Sequence, residues 1–138
     1  MKFNFEKLSK SYRKKKLLVV GDVILDAYVW GIVDRMSPEA PVPIVQSGEH
    51  GQQPGGAANV ALNLTNLGAK VSLVGLVGDD DEGVSLTNAL SNDANINTHL
   101  LVDQGRPTTI KTRVIANGHH VVRIDREQLD PIRTEIVD

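Results

Sequence analysis

Two stretches of the chain are apolar almost without interruption. "KLLVVGDVIL" (16–25) and "KVSLVGLVG" (70–78) have the unbroken runs of strands covered on both faces, not the alternation of a strand with one wet side. Between them, "GGAANVALNLTNLG" (55–68) switches to a helical period. Val60, Leu64 and Leu67 fall at i, i+4 and i+7, which predicts a helix that starts near Gly56, buries that stripe and stops at Gly68. Small Ala57, Ala58 and Ala61 let such a helix approach neighbouring backbone closely. Strand, helix, strand predicts an α/β fold with a parallel crossover, although residues 27–54 separate the first strand from the helix. "DDDEGVSLTNALSN" (79–92) predicts a second helix whose carboxylates meet the positive end of its dipole. "THLLV" (98–102) predicts a further short strand.

Two segments break this rhythm. "AYVWGIVDRMSPEAPVPIVQ" (27–46) carries Pro38, Pro41 and Pro43, which suits a sheet edge or a projecting flap better than a sheet centre. "TTIKTRVIANGHHVVRID" (108–125) predicts a hairpin, because Asn117-Gly118 is a strong signal for a two-residue type I′ turn. That turn would set Val114 opposite Val121, Arg113 opposite Val122, Thr112 opposite Arg123 and Lys111 opposite Ile124. Lys111 and Arg113 would then share one face and Arg123 the other. The two segments together predict a small sheet standing off the main one as a lid. At the end of the chain, Asp130 and Pro131 suit the N-cap and first position of a helix. Only eight residues follow Asp130 and no C-cap appears, the pattern of a domain cut short.

Composition narrows the class. A chain of 138 residues suits one domain, and no run approaches the ~18 apolar residues of a membrane span. No apolar leader core marks it for export, and there are no cysteines, so disulfides and thiolate sites are excluded and a reducing cytoplasm is the expected location. Charge is uneven: residues 1–16 hold seven Lys/Arg against one Glu, and with a total of −2 this leaves residues 17–138 at −8. The basic leader, residues 1–15, is read as the solvated face of a helix. No aromatic platform is interleaved with it and the acidic body repels polyanions, so nucleic acid is not expected as a partner.

Candidate chemistry gathers at two places. Gly55 and Gly56 leave backbone N–H groups uncovered at a helix start, where a hydroxyl or an anion can approach, and Asn59 in the first turn can both donate and accept. Asp22 and Asp26 follow the first strand near its C-terminal end, where open α/β sheets bind ligands. An ionised carboxylate can accept from several hydroxyls at once, as a polyol requires. His119 and His120 beside the hairpin turn would point to opposite faces of a strand and are read as exposed turn residues, with no metal site expected.

These residues resemble a known family. "GGAANVALNLTNLGAKVSLVGLVG" is similar to the first signature of the PfkB, or ribokinase-like, sugar kinases. "GDVILDAYVWG", "RMSPEAPVPIV" and "PTTIKTRVIANGHHVVRID" look closer still to the D-glycero-β-D-manno-heptose-7-phosphate kinase module of bifunctional ADP-heptose synthases. The resemblance runs from about Lys16 to Asp138. It implies a ribokinase-like, Rossmann-type, mainly parallel sheet flanked by helices, with a β-lid formed by about 27–46 and 108–125. It also implies phosphoryl transfer from ATP with Mg2+ to the anomeric hydroxyl of the heptose 7-phosphate, for the lipopolysaccharide core, and a homodimer made through the lid. By position, Asp26 matches the carboxylate that holds sugar hydroxyls, Gly55 and Gly56 the backbone donors, and Asn59 a further sugar ligand. Lys111 and Arg113 are the first candidates for the 7-phosphate because they share a face, with Arg35 and Arg123 behind them; surface salt bridges are the competing reading.

The departures matter too. The family's second signature, a Gly-Ala-Gly-Asp loop supplying the anion hole and the general base, does not occur in the sequence, and neither does an ATP-binding half. The expectation is therefore an acceptor-binding half and lid that is inactive alone. A non-catalytic sugar-phosphate or dimerisation module, or a kinase for another sugar, remains open. A nicotinamide-binding fold is disfavoured because no G-x-G-x-x-G directly follows a strand.

Overall fold

A computed structural model describes residues 5–13 and 15–137. A short helix α1 (Phe5–Tyr12) precedes β1 (Lys16–Val20), β2 (Val23–Met36) and β3 (Pro43–Gly55). Then come α2 (Gly56–Asn66), β4 (Lys70–Gly78), α3 (Asp81–Ser91), β5 (Ile96–Asp103), β6 (Thr109–Ala116), β7 (His119–Arg126) and α4 (Thr134–Val137). The strands form two sheets. One is three-stranded and wholly parallel, in the order β1-β4-β5; the other is four-stranded and mixed, in the order β3-β2-β6-β7. No helix among the described residues is long and apolar enough to cross a membrane.

The core lies between α2, α3 and one face of the parallel sheet. Ala58 and Ala61 of α2, Leu86 and Leu90 of α3, and Val71, Leu73 and Val77 of β4 are buried there with Val23 and Leu25. Burying a leucine as fully as Leu73 or Leu86 is worth about 2 kcal/mol each. The boundaries of α2 and α3 match the sequence pattern. Helix α2 ends in a Schellman turn at Gly68, whose φ is +97°, with Gly68 N donating to Thr65 O and Ala69 N to Leu64 O.

Several expectations fail in instructive ways. The run 16–25 is not one strand: the chain breaks at Gly21-Asp22, and β1 and β2 belong to different sheets. Nor is β1 covered on both sides, since Leu18 and Val20 are 66% and 68% exposed. The buried stripe of α2 is Ala58, Ala61 and Thr65, whereas Val60 and Leu67 face outward. Alanines let the helix sit closer to the sheet, and Thr65 tolerates burial because its hydroxyl donates to Asp93 Oδ2 at 2.5 Å, with Leu62 O as the alternative acceptor at 3.0 Å. Segment 27–46 is not all edge. Residues 27–36 continue β2, which is central, while the prolines fall in the 37–42 turn and on edge strand β3. Strand β5 runs longer than 98–102. The last helix starts at Thr134 instead of Pro131, because Arg106 takes the carbonyls of Asp130 and Pro131 and Arg133 pairs with Asp103. Those contacts hold 130–133 against the loop after β5.

Three carboxylates pin loops and are held below the usual value of 3.8. Asp103 accepts from Gly105 N and from Arg106 and Arg133. Asp93 accepts from the Thr65 hydroxyl and Asn95 N. For Asp80, burial alone would raise the value, but hydrogen bonds from Thr108 and Gly83 outweigh it. A carboxylate lowered on folding stabilises fully above its unfolded pKa and loses that contribution as pH falls through its folded pKa. The thermal midpoint should therefore be flat from about pH 8 to 5 and fall below about pH 4. Circular dichroism melts across that range check this, and an unchanged midpoint at about pH 3 would refute it.

Candidate functional site

The four-stranded sheet gathers most of the residues singled out from sequence onto one face. Asp26 on β2 is in register with Gln53 on β3 and Lys111 on β6, and Lys111 is in register with Asp125 on β7. One step along, Tyr28 aligns with Arg113 and Arg113 with Arg123. Cross-strand partners project to the same side, so Asp26, Tyr28, Lys111, Arg113, Arg123 and Asp125 share a surface.

Arg123 is thus a correction. The two-residue turn is present, with Asn117 and Gly118 at φ +52° and +80° and Ala116 opposite His119. A bulge between Val114 and Ile115 then skips Val121, shifting every later pair by one residue and moving Arg123 to the face of Lys111 and Arg113. Lys111 consequently meets Asp125 where Ile124 was expected.

The charges on this face are already paired. Arg113 Nη1 donates to Asp26 Oδ1 at 2.5 Å, with side-chain exposures of only 23% and 16%, and this bond raises the Arg113 pKa above its ordinary value. Lys111 Nζ donates to Glu127 and Asp125 at 3.0 and 3.2 Å, and the Glu127 hydrogen bond leads the causes that raise its pKa. Arg123 donates twice to Asp125, lowering that carboxyl, yet the Arg123 side chain stays 55% exposed. It is the most open of the three cations.

Gly55 and Gly56 join this face to α2. Gly55 is the buried N-cap of α2, and a Cβ there would run into the Asp26 carboxylate, so glycine is what lets the acid lie against the helix start. Gly56 has φ +55°. Asp22 contributes through its backbone: its carbonyl accepts from Ala57 N at 2.8 Å, while its side chain is exposed. Asn59 is exposed in the first turn of α2 and accepts from Asn63 Nδ2 at 3.2 Å. Asp26, Gly55, Gly56, Asn59, Lys111, Arg113 and Arg123 are therefore brought to one region. Arg35 is not: it lies nine residues beyond Asp26 on the same strand, roughly 30 Å away at strand rise, exposed near the far turn. His119 and His120 are both exposed, and among the described residues no three His, Cys, Asp or Glu side chains group to hold a metal.

Sequence reasoning missed the joint under this face. Asp80, the N-cap of α3, accepts from Gly83 N at 2.9 Å, from Thr108 N at 2.9 Å and from the Thr108 hydroxyl at 2.6 Å. Arg126 of β7 bonds both Asp80 and Glu82, and Gly78 N donates to Thr108 Oγ1. The capping acid was legible in "DDDEG"; its partner 28 residues away had no local signal.

The model of the pfkB family of carbohydrate kinases matches residues 14–136. The chain is 51% identical over 123 residues to the bifunctional protein HldE of Helicobacter pylori, covering 88% of this chain and 26% of that protein. It is 46% identical over 118 residues to HldE of Hyphomonas neptunium, covering 86% and 24%. Its fold aligns with a carbohydrate kinase from Agrobacterium tumefaciens at a TM-score of 0.66 and 25% identity, over 80% of this chain and 35% of that one. The chain thus spans about a quarter of the length of the curated relatives it matches.

Proposed function

Because the chain belongs to the pfkB family of carbohydrate kinases, with an α/β ribokinase-like fold, we propose that it forms the acceptor-binding part of a heptose kinase. The acceptor on this reading is D-glycero-β-D-manno-heptose 7-phosphate. In a complete kinase of this kind the γ-phosphoryl group of ATP would pass to its anomeric hydroxyl, with ADP leaving and the hydroxyl proton going to a general base. The product is the 1,7-bisphosphate, a precursor of ADP-heptose for lipopolysaccharide. The observation that carries the proposal is the half-buried Asp26–Arg113 pair lying against the Gly55 start of α2, in a chain about half identical to HldE proteins.

Asp26 is assigned to the sugar hydroxyls, because its second oxygen can accept while Arg113 holds the first. Gly55, Gly56 and Asn59 line the same approach. Arg123 and Lys111 are assigned to the 7-phosphate, which would replace carboxylates they now bind. Arg113 is more deeply engaged and orients Asp26. The residues present do not fit the transfer step of a kinase of this family, because no Gly-Ala-Gly-Asp loop occurs to supply its anion hole and general base. No transfer step is assigned to them, and the chain alone is expected to be inactive. A cytoplasmic location and a homodimer through the outer face of the four-stranded sheet, where Val122 and Ile124 are exposed, belong to the same proposal.

Calorimetric titration of heptose 7-phosphate, with ribose and fructose 6-phosphate as controls, tests it. Saturable binding that prefers the heptose supports the assignment, and equal or absent binding of all three in a folded sample refutes it. The Arg123→Gln variant should weaken heptose 7-phosphate by about tenfold, the loss of one charge-assisted hydrogen bond, and leave unphosphorylated heptose unchanged. An equal loss for both sugars would remove Arg123 from the phosphate site.

A further inference from the structure

The face that carries Asp26 also carries an aromatic pair that the assignments above leave unused. Tyr28 and Trp30 follow Asp26 at two-residue steps on β2, so all three project to one side. The two rings stack, with centroids 5.4 Å apart and planes 12° from parallel.

The pair is held in place from several directions. Gln53 Nε2 donates to the Tyr28 hydroxyl at 3.0 Å, and the Arg113 guanidinium lies 5.5 Å from the centre of the Tyr28 ring, within cation–π range. Trp30 lies across Gly51 of β3, where a Cβ would come within 2.9 Å of its Cζ3. Two glycines of β3 therefore do parallel jobs: Gly55 lets the Asp26 carboxylate lie flat and Gly51 lets the indole lie flat. Despite this support Trp30 remains 39% exposed, and it is the more open of the two rings. A scattered surface tryptophan would need no explanation. An indole propped by a stacked tyrosine, laid down over a glycine and set beside a carboxylate–guanidinium pair is an arranged surface.

A sugar presents two chemistries. Its hydroxyl edge demands hydrogen-bonding partners, while the C–H face of a pyranose ring is apolar and gains from leaving water against an aromatic plane. Asp26 and Arg113 meet the first demand. Resting on the sugar-phosphate reading above, we infer that Trp30, propped by Tyr28, is a stacking subsite for the C–H face of the sugar's pyranose ring. The stack lies in line with Arg113 and Arg123, since Tyr28, Arg113 and Arg123 share one cross-strand row. A ring seated on Trp30 would thus have Asp26 along one strand direction and the Arg123 guanidinium across the sheet, which selects a pyranose carrying a remote phosphate over a free furanose.

The chain contains one tryptophan, so its emission reports this ring alone. The experiment titrates the chain with D-glycero-β-D-manno-heptose 7-phosphate, and with inorganic phosphate as control, following tryptophan emission and heat together. The expected result is a saturable emission change with the calorimetric midpoint and no change with inorganic phosphate. Trp30→Ala should weaken binding about tenfold or more, and Trp30→Phe, which keeps an aromatic plane, less than about threefold. Heat of binding with unmoved emission, and Trp30→Phe binding no better than a folded Trp30→Ala, would overturn the stacking subsite and leave the sugar-phosphate reading standing. No heat with any sugar phosphate would overturn that reading and the subsite with it. Should Trp30→Ala fail to fold, wild-type emission and the Trp30→Phe affinity decide the question.

Discussion

Replacing Asp26 with alanine is expected to weaken heptose 7-phosphate binding by about 100-fold or more, since a carboxylate gripping two hydroxyls contributes about 1.5–3 kcal/mol per charge-assisted hydrogen bond. The loss has two parts. The sugar loses its acceptor, and Arg113, only 23% exposed, loses the group that holds it and is left with Lys111 O at 3.3 Å and the Tyr28 ring. An unpaired guanidinium on this face would then attract the phosphate, so the variant should shift preference from sugar hydroxyls toward bare anions. Asp26→Asn separates these effects, because the amide oxygen can still accept from Arg113 while the charge is gone; its loss should be intermediate, about tenfold. Calorimetry with heptose 7-phosphate and inorganic phosphate reads both affinities. Wild-type affinity in a folded Asp26→Ala protein would remove Asp26 from the site and with it the residue-level basis of the proposed function.

How much of this was legible in the sequence depends on distance along the chain. Helices α2 and α3, strand β4 and the Asn117-Gly118 turn are written in local signals: a helical period, a capping acid, a glycine at a positive φ. Asp26 and Gly55 were legible as candidates for the same reason. What failed was set by long-range partners. The apolar run through 16–25 concealed the sheet change at Gly21-Asp22, because hydrophobicity reports burial and not which sheet buries it. The register of β7 failed at one bulge, and a single inserted residue turns Arg123 from one face to the other. Helix α2 offered two apolar stripes, and closeness of approach selected the alanine one over Val60 and Leu67. Asp130 and Pro131 carry the signature of a helix start, but Arg106, about 25 residues earlier, claims their carbonyls. The Asp26–Arg113 pair spans 87 residues and no local pattern announces it.

The joint at Asp80 has the largest expected effect on stability. This carboxylate caps α3 through Gly83 N and takes both the amide and the hydroxyl of Thr108, a residue 1% exposed. Asp80→Ala removes the cap, worth about 1 kcal/mol, and strands a buried amide, worth about 1–3 kcal/mol. A total near 3 kcal/mol should lower the thermal midpoint by roughly 10 °C for a domain of this size. The Arg126 contact adds little, because its side chain is 47% exposed and surface pairs contribute at most about 1 kcal/mol; Arg126→Ala is therefore the control and should shift the midpoint by no more than about 3 °C. The consequence reaches the site because Thr108 immediately precedes β6, the strand that presents Lys111 and Arg113. Losing its anchor frees the start of that strand from α3, so amide exchange should rise at Thr108, Gly83 and along β6, and sugar-phosphate affinity should fall although no ligand-facing group has changed. A midpoint within about 1 °C of wild type, or faster exchange confined to α3, would mean that the β6 start is held by the sheet alone.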